Sequence, residues 1–152
     1  MKLDATLSKH ITAGPDRRLI FAMEEHNKEY IVKNCNKKEA CIIKIDGALI
    51  SSKDVKKCDY GLCVEDNRFF LIELKGVDLS QACKQLLYTL DYMRQKYTNY
   101  EYFCRAVVTR MPSKKDKTGA PGNYPSSYKK LLQKLLNNEH LRCASRELHE
   151  TI

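Results

Sequence analysis

The stretch Asp59-Tyr-Gly-Leu-Cys-Val-Glu-Asp-Asn-Arg-Phe-Phe-Leu-Ile-Glu73-Leu-Lys75 decides how the rest of the chain is interpreted. Two apolar runs flank the polar residues 66–68, a pattern typical of two β-strands joined by a short turn. With 66–68 as the loop, Asp59 lies opposite Lys75, whereas a two-residue turn would scatter the charged side chains over both faces. Because side chains alternate along a strand, Glu73 and Lys75 share a face, and we expect Asp59 to join them in one patch.

Two carboxylates and a backbone carbonyl in that patch predict a site for a hard divalent cation. Asp59, Glu73 and the carbonyl of Leu74 supply the oxygen ligands that Mg²⁺ or Mn²⁺ prefers over zinc. Such an ion polarises a phosphodiester and lowers the pKa of a water, and a lysine beside it orients that water. The alternative is a surface salt bridge to Lys75, worth about 0–1 kcal/mol. Charges that end an apolar strand are costly unless they are used, which keeps both interpretations open.

The spacing of these residues resembles a known motif. Asp59, separated by thirteen residues from Glu73-Leu74-Lys75, is similar to the signature of the PD-(D/E)xK nuclease superfamily, and the resemblance spans residues 17–109. It implies an α/β fold with a mixed central β-sheet flanked by helices, of the restriction endonuclease-like αβββαβ type. It also implies a Mg²⁺-dependent nuclease acting on DNA, in which Asp59 and Glu73 bind the metal and Lys75 assists the attacking water. Cys58 stands where the family often has proline.

The same resemblance implies supporting residues on two helices. Residues 16–25 follow a proline and are expected to form a helix, on which Glu24 or Glu25 would supply a third acidic ligand; a solvated helix end is the alternative. A glutamine on the helix after Lys75 commonly supports the site in this family. Gln81 and Gln85 are the candidates, although Gln81 three residues after Asp78 is also the pattern of a helix cap.

The charge of the chain favours a polyanionic partner. Its net charge is +8, and its pI is near 9.1, a balance typical of proteins that neutralise phosphates with Lys and Arg. The candidate contacts with nucleic acid are Lys53, Lys56, Lys57, Lys114, Lys115 and Lys117. The first three precede the motif strand and the others lie in a Lys/Gly/Pro-rich loop over 110–123. Each is also compatible with an ordinary solvated surface.

Length and composition predict a single nuclease-like domain over residues 1–152. Hydrophobic residues make up 43% and charged residues 30% of the chain, which favours a globular protein over a disordered one. No apolar run approaches the ~18 residues of a membrane span, so we expect no membrane contact and a cytoplasmic location. None of the seven cysteines forms a C-x-x-C pair, and we expect them to be reduced and mostly buried.

The remaining helices and strands are predicted from the periodicity of apolar residues and from capping and turn residues. The best helix begins after Asp78, with a buried stripe running to Tyr97, and another begins at Pro125 and runs to Leu136. A short helix is expected before Gly14, and Asp46-Gly47 indicates a turn. Strands are predicted over residues 30–34, 40–46, 102–109 and 141–148.

These features lead to one main hypothesis and two alternatives. The main hypothesis is that the protein is an endonuclease that hydrolyses DNA phosphodiesters with a metal ion. A homodimer that cuts two strands is compatible with it. One alternative is a non-catalytic nucleic-acid-binding or regulatory module on the same fold, with salt-sensitive affinity that survives without metal. The other is an interaction protein in which Glu73 and Lys75 form an incidental salt bridge.

Overall fold

The structure is a computed structural model that describes residues 1–112 and 123–152. Along the chain its elements are α1 (Ala5–Ser8), β1 (Ile11–Asp16), β2 (Ile20–Glu25), β3 (Lys28–Lys33), β4 (Ala40–Lys44), β5 (Tyr60–Val64), β6 (Arg68–Glu73), α2 (Leu79–Lys96), β7 (Glu101–Val108), α3 (Ser126–Lys134), a 3₁₀ turn (Asn138–His140), β8 (Leu141–Ser145) and β9 (Glu147–Thr151).

A mixed six-stranded sheet, ordered β1-β4-β5-β6-β7-β8, forms the centre of the fold. Neighbouring strands from β1 to β6 run antiparallel, and β6, β7 and β8 run parallel. The parallel pairing of β6 with β7 requires a crossover, which α2 supplies. The mixed central sheet that the sequence predicts is therefore confirmed.

Helices cover one face of this sheet and a second sheet covers the other. The first core joins α2 and α3 to alternate residues of the central strands, such as Phe69 and Leu71. The second core joins the intervening residues, such as Phe70 and Ile72, to the three-stranded sheet β2-β3-β9. The predicted flanking helices therefore cover one face of the central sheet, and β-strands distant in sequence bury the other face.

Helix α2 begins and packs as its sequence predicts. The Asp78 side chain accepts a hydrogen bond from the Gln81 backbone N–H at 2.9 Å, which satisfies one of the free donors of the first turn. The apolar stripe from Leu79 to Met93 is buried against the central sheet. The helix that follows Pro125 is likewise confirmed, with Pro125 as its N-cap.

The predicted helix over residues 16–25 was wrong. Residues 20–25 form β2, which pairs antiparallel with β3 through a two-residue turn at His26-Asn27. Both turn residues have positive φ angles, 49° and 59°, as the tight hairpin turn requires. Phe21 and Met23 point into the second core and their neighbours point outward. The short N-terminal helix is also limited to α1, because Ile11 already belongs to β1.

Residues 141–148, predicted as one edge strand, contain parts of two strands in different sheets. β8 pairs with β7 in the central sheet, and β9 pairs with β3 in the other. Arg146 separates them with a φ of 66°, and its backbone joins the two sheets. Its N–H donates to Val108 O at 3.0 Å, and its carbonyl accepts from Glu29 N at 2.9 Å.

A buried ion pair also connects the sheets. Arg105 on β7 is 2% exposed, and its guanidinium donates from Nη2 to Glu150 Oε1 at 2.9 Å. A second guanidinium nitrogen donates to the carbonyls of Cys104 and His140, and the Tyr30 hydroxyl donates to Glu150 at 2.7 Å. We call Arg105, Glu150 and Tyr30 the inter-sheet cluster.

Most of the cysteines are buried, as the sequence predicts. Cys41, Cys58, Cys63, Cys83 and Cys104 are free and buried. Among the described residues, we find no helix that is both long and apolar enough to cross a bilayer.

Candidate functional site

The β5–β6 hairpin places Asp59 and Glu73 side by side. The three-residue loop is 65–67, one residue earlier than predicted, and Asn67 adopts a φ of 62° within it. Tyr60 pairs with Ile72, and the Asp59 N–H donates to Ile72 O at 3.1 Å. Asp59 therefore lies opposite Glu73 rather than Lys75. Because this differs from the predicted register by two positions, the charged residues still share one face.

Both carboxylates are buried and only half satisfied. Asp59 is 1% exposed and Glu73 0%. Asp59 Oδ2 accepts from the backbone N–H groups of Leu74 and Lys75 at 2.7 and 2.9 Å, and Glu73 Oε1 accepts from Lys75 N at 3.1 Å. The other oxygens, Asp59 Oδ1 and Glu73 Oε2, are buried without a hydrogen-bond partner in the described part of the chain. Each carboxylate thus has one buried oxygen that accepts no hydrogen bond from the described residues.

The electrostatics of the pair follow from this burial. Burial, together with the neighbouring Asp59 charge, raises the pKa of Glu73 to about 8. The Lys75 ammonium lies 3.2 Å from Asp59 Oδ1 and 3.0 Å from Asp46 Oδ2. Partial burial disfavours the charged lysine, but these two contacts prevail and raise the pKa of Lys75. Lys75 is therefore a cation at neutral pH.

Asp46 belongs to the same cluster, although the sequence favoured a role for it in a turn. The backbone turns here, with Gly47 at a φ of 74°, as the sequence predicts. The Asp59 carbonyl accepts from the N–H groups of Ile45 and Asp46 at 3.1 and 3.4 Å, which brings Asp46 beside the motif strand. Burial opposes ionisation of Asp46, but its contacts with Lys75 and Lys57 lower its pKa overall. We call Asp46, Asp59, Glu73 and Lys75 the hairpin-end cluster.

The two predicted glutamines have different surroundings. The Gln81 side chain is exposed at the start of α2, where its backbone completes the cap, so the cap interpretation accounts for its position. Gln85 is half-buried and donates from Nε2 to the Lys57 carbonyl at 3.3 Å. One turn later, Thr89 accepts from the buried Cys58 N–H at 2.9 Å. Gln85 and Thr89 thus fix the two residues that lead into Asp59; Thr89 was missed in the sequence because its partner lies 31 residues away.

The expected third acidic ligand does not join the carboxylates. Glu24 is exposed on β2. Glu25 accepts from Lys44 Nζ at 2.9 Å and from the Tyr60 hydroxyl at 2.8 Å. Since Tyr60 and Asp59 are consecutive, their side chains point to opposite faces of the central sheet, and Glu25 lies on the Tyr60 side. The hydrogen bond from Lys44 opposes the effect of burial and lowers the pKa of Glu25.

The predicted basic contacts also differ among themselves. Lys53 and Lys56 are exposed. Lys57 is only 8% exposed, and its ammonium donates to the Ser52 carbonyl. The ammonium also lies 3.6 Å from Asp46 Oδ1, so Lys57 adds a positive charge next to the hairpin-end cluster. The three predicted lysines of the following loop, Lys114, Lys115 and Lys117, lie outside the described residues.

The residues present fit a hard divalent cation with a small set of ligands. Asp59 Oδ1 and Glu73 Oε2 are unpartnered oxygens of the kind that Mg²⁺ and Mn²⁺ prefer. Within residues 1–112 and 123–152, no group of three or more His, Cys, Asp and Glu side chains is arranged to hold a metal. The donor set therefore consists of two carboxylates, and the backbone carbonyl of Leu74 is the predicted third ligand. Magnesium sites often keep several waters in addition to one or two carboxylates.

Comparison with known proteins gave no relatives for this chain. We found no match among protein-family models, curated proteins or solved structures.

Proposed function

We propose that this protein is a metal-dependent nuclease that hydrolyses DNA phosphodiesters, with a restriction endonuclease-like fold and a PD-(D/E)xK-type site. Asp59, Glu73 and the Leu74 carbonyl would hold Mg²⁺ or Mn²⁺, and Lys75 would position the attacking water. Pairing of two copies to cut two DNA strands stays a prediction.

The pair of unpartnered buried carboxylate oxygens carries this proposal. Burying a polar group without a hydrogen bond costs about 1–3 kcal/mol in proteins, and more for a charged group. Here two acidic groups on neighbouring strands each bury one oxygen without a hydrogen bond, and of the two only Asp59 Oδ1 lies close to a cation, the Lys75 ammonium at 3.2 Å. An exposed salt bridge would not bury both carboxylates. A cation that binds between them accounts for the arrangement.

The connectivity of the central sheet supports the proposal. β4, β5 and β6 form an antiparallel meander, and α2 then crosses to β7, which is parallel to β6. This order agrees with the βββαβ portion of the expected core. The helix expected before it differs, since α1 has four residues and β1, β2 and β3 intervene.

The side chains of the cluster have separable roles. Lys75 is protonated at neutral pH, so it serves as a hydrogen-bond donor and a positive charge rather than as a proton acceptor. Asp46 holds the Lys75 ammonium beside Asp59. In that position Lys75 can orient a water and offset the negative charge that develops on phosphate. A bound divalent cation would polarise the phosphodiester and make water a better nucleophile.

The proposal is tested by a cleavage assay with Mg²⁺ or Mn²⁺ on linear, nicked, branched and single-stranded DNA. Glu73→Gln and Lys75→Ala are each expected to lower the rate at least about 100-fold, since they remove a ligand and a preorganised charge. The matched controls are Glu65→Gln in the loop of the same hairpin and Lys9→Ala, both at exposed positions. These controls should cut at the wild-type rate.

The assay also separates the alternatives. Salt-sensitive binding by wild type without metal-dependent cutting would favour the non-catalytic nucleic-acid-binding module. The position of Lys75 between Asp46 and Asp59 is compatible with that outcome, because a cation already balances part of the negative charge there. If the wild-type protein neither cuts nor binds DNA, the nuclease proposal is wrong.

A further inference from the structure

A basic cavity lies beside the carboxyl ends of the parallel strands. Its volume is about 380 Å³, and it is lined by His26, Asn27, Lys28, Thr109 and Arg146. The lining contains two cations, a titratable imidazole, an amide and a hydroxyl, and no carboxylate. This composition is complementary to an anion.

Lys28 makes the cavity unlike an ordinary basic surface. It is 5% exposed, whereas the other four lining residues are exposed and form the rim. No acceptor among the described residues binds its ammonium. Glu25, its cross-strand neighbour, is instead bound by Lys44 and Tyr60. Lys28 lines the cavity although its residue is largely buried, so its stem lies within the fold while its ammonium is available to an anion in the cavity.

The fold holds the lining in place from three sides. The His26-Asn27 turn and Lys28 belong to the β2–β3 hairpin, Thr109 follows β7, and Arg146 joins β8 to β9. Arg146 is fixed through its backbone to both Val108 and Glu29. Its side chain forms no ion pair with a carboxylate of the described residues. The backbone that carries both cations is therefore in place before any ligand arrives.

The cavity shares an edge of the molecule with the hairpin-end cluster. Glu73 pairs with Ala106 in the parallel β6–β7 ladder, and Asp78 forms a parallel bridge with Arg110, so the segment that contains Lys75 runs beside the segment that ends at Thr109. A strand of nucleic acid that passes the carboxylates along this edge would bring a neighbouring phosphate to the cavity. The volume exceeds that of several waters at about 30 Å³ each, which is ample for one phosphate group.

From this placement we infer that the cavity of Lys28 and Arg146 is a phosphate-binding subsite that holds the polynucleotide backbone next to the cleavage site. The inference rests on the proposed nuclease function and extends it by naming where the substrate is anchored. Phosphate contacts of this kind position a nucleic acid without reading its sequence.

The test measures binding of a short DNA duplex in the presence of a chelator, so that binding is separated from cutting. Lys28→Met keeps the buried stem and removes the charge, and Arg146→Asn removes the charge with a residue that tolerates positive φ. Each variant should bind about 3- to 10-fold more weakly, and Lys28→Met should reduce the slope of log affinity against log salt by about 1. The double variant should lose less than the product of the single losses, because both cations act on one group.

Three variants complete the design. Lys33→Met, at an exposed position of the same strand, should bind as wild type does apart from the small effect of one surface charge. Lys28→Arg and Arg146→Lys retain the charges and should restore affinity, which separates loss of charge from local unfolding. Melting temperatures identify any variant that fails to fold.

The outcomes distinguish this inference from the proposed function. If Lys28→Met and Arg146→Asn match Lys33→Met while wild type cuts DNA with metal, the subsite is wrong and the nuclease stands. If wild type neither binds nor cuts, both proposals are overturned. Reduced affinity in the two charge-removing variants, with cutting at saturating DNA retained, is the expected result.

Discussion

Two buried ionic clusters in this molecule differ in how completely their atoms are paired. In the inter-sheet cluster, Glu150 accepts hydrogen bonds at both carboxylate oxygens, and Arg105 donates to two carbonyls as well. In the hairpin-end cluster, Asp59 and Glu73 lie side by side, and each has an oxygen without a hydrogen bond. The first cluster pairs each carboxylate oxygen with a donor, whereas the second places two carboxylates together and only Asp59 of the two contacts the Lys75 ammonium.

The two clusters have opposite effects on the ionisation of their buried glutamates. Burial opposes ionisation of Glu150, but its contacts with Arg105 lower its pKa, so the charged form is the stable one in the folded protein. Burial and Asp59 raise the pKa of Glu73 to about 8, so folding disfavours its charge. Buried groups that conflict with the stability of the fold are characteristic of functional sites.

The largest expected effect on stability is the loss of the inter-sheet pair. Glu150→Ala leaves Arg105 buried without its counter-ion and should lower the free energy of unfolding by about 3–5 kcal/mol. Urea unfolding measures the change, with Glu147→Ala on the same strand as an exposed control that should stay within about 0.5 kcal/mol of wild type. A cost below that of an ordinary surface ion pair would mean that the pair does not hold the sheets together.

The second prediction concerns Glu73, whose pKa is shifted in the opposite direction from that of Glu150. Its folded-state pKa of about 8 exceeds the ordinary value of 4.5, so its contribution to stability is full below pH 4.5 and is lost as pH rises through about 8. Without divalent metal, Glu73→Gln should therefore be about as stable as wild type at low pH and roughly 2–4 kcal/mol more stable above pH 8.

Thermal unfolding across this pH range provides the measurement. Glu65→Gln, on the exposed loop of the hairpin, should show no such gain. Glu150→Ala provides the contrast. The pKa of Glu150 is lowered in the folded protein, so its charged form stabilises the fold above its ordinary pKa of 4.5, and this stabilisation is lost as pH falls. If the melting temperatures of wild type and Glu73→Gln depend on pH in the same way, burial does not raise the pKa of Glu73.

The smallest expected effect concerns the contact that positions Asp59. Thr89→Val keeps the shape of the side chain but leaves the buried Cys58 N–H without an acceptor, which should cost about 1–3 kcal/mol. The exposed Thr98→Val is the matched substitution and should be nearly neutral in chemical denaturation. A neutral Thr89→Val would show that α2 does not restrain the segment before Asp59.

Local sequence signals were sufficient for the central hairpin, α2 and β7, because each has its own periodicity and its own caps or turn. The strand β2 lacked such a signal: Ile20 is exposed although it is apolar, so no alternation of polar and apolar residues marks the strand. Its burial depends on β3 and β9, and β9 is far away in sequence. The same limitation concealed that β3 and β4 belong to different sheets.

In the candidate site, too, local spacing predicted some residues and tertiary packing brought in others. The motif residues Asp59, Glu73 and Lys75 were found because their spacing on one hairpin sets which face they share. Asp46 was interpreted as a turn residue because its contact with Lys75 depends on packing between separate strands. The conformation of Asn67 shifts the loop by one residue, and nothing in the local composition distinguishes that register from the predicted one.

The parallel pairing of β3 with β9 has a consequence for how the protein folds. Glu29 aligns with Glu147, which lies more than three-quarters of the chain length away in sequence, so this ladder closes a long loop. Contacts of such high contact order form slowly, because the entropy of closing the loop is lost before the contacts stabilise it. We therefore expect the central sheet and α2 to assemble first, with β9 docking in a late, rate-limiting step that also brings Arg146 to Lys28.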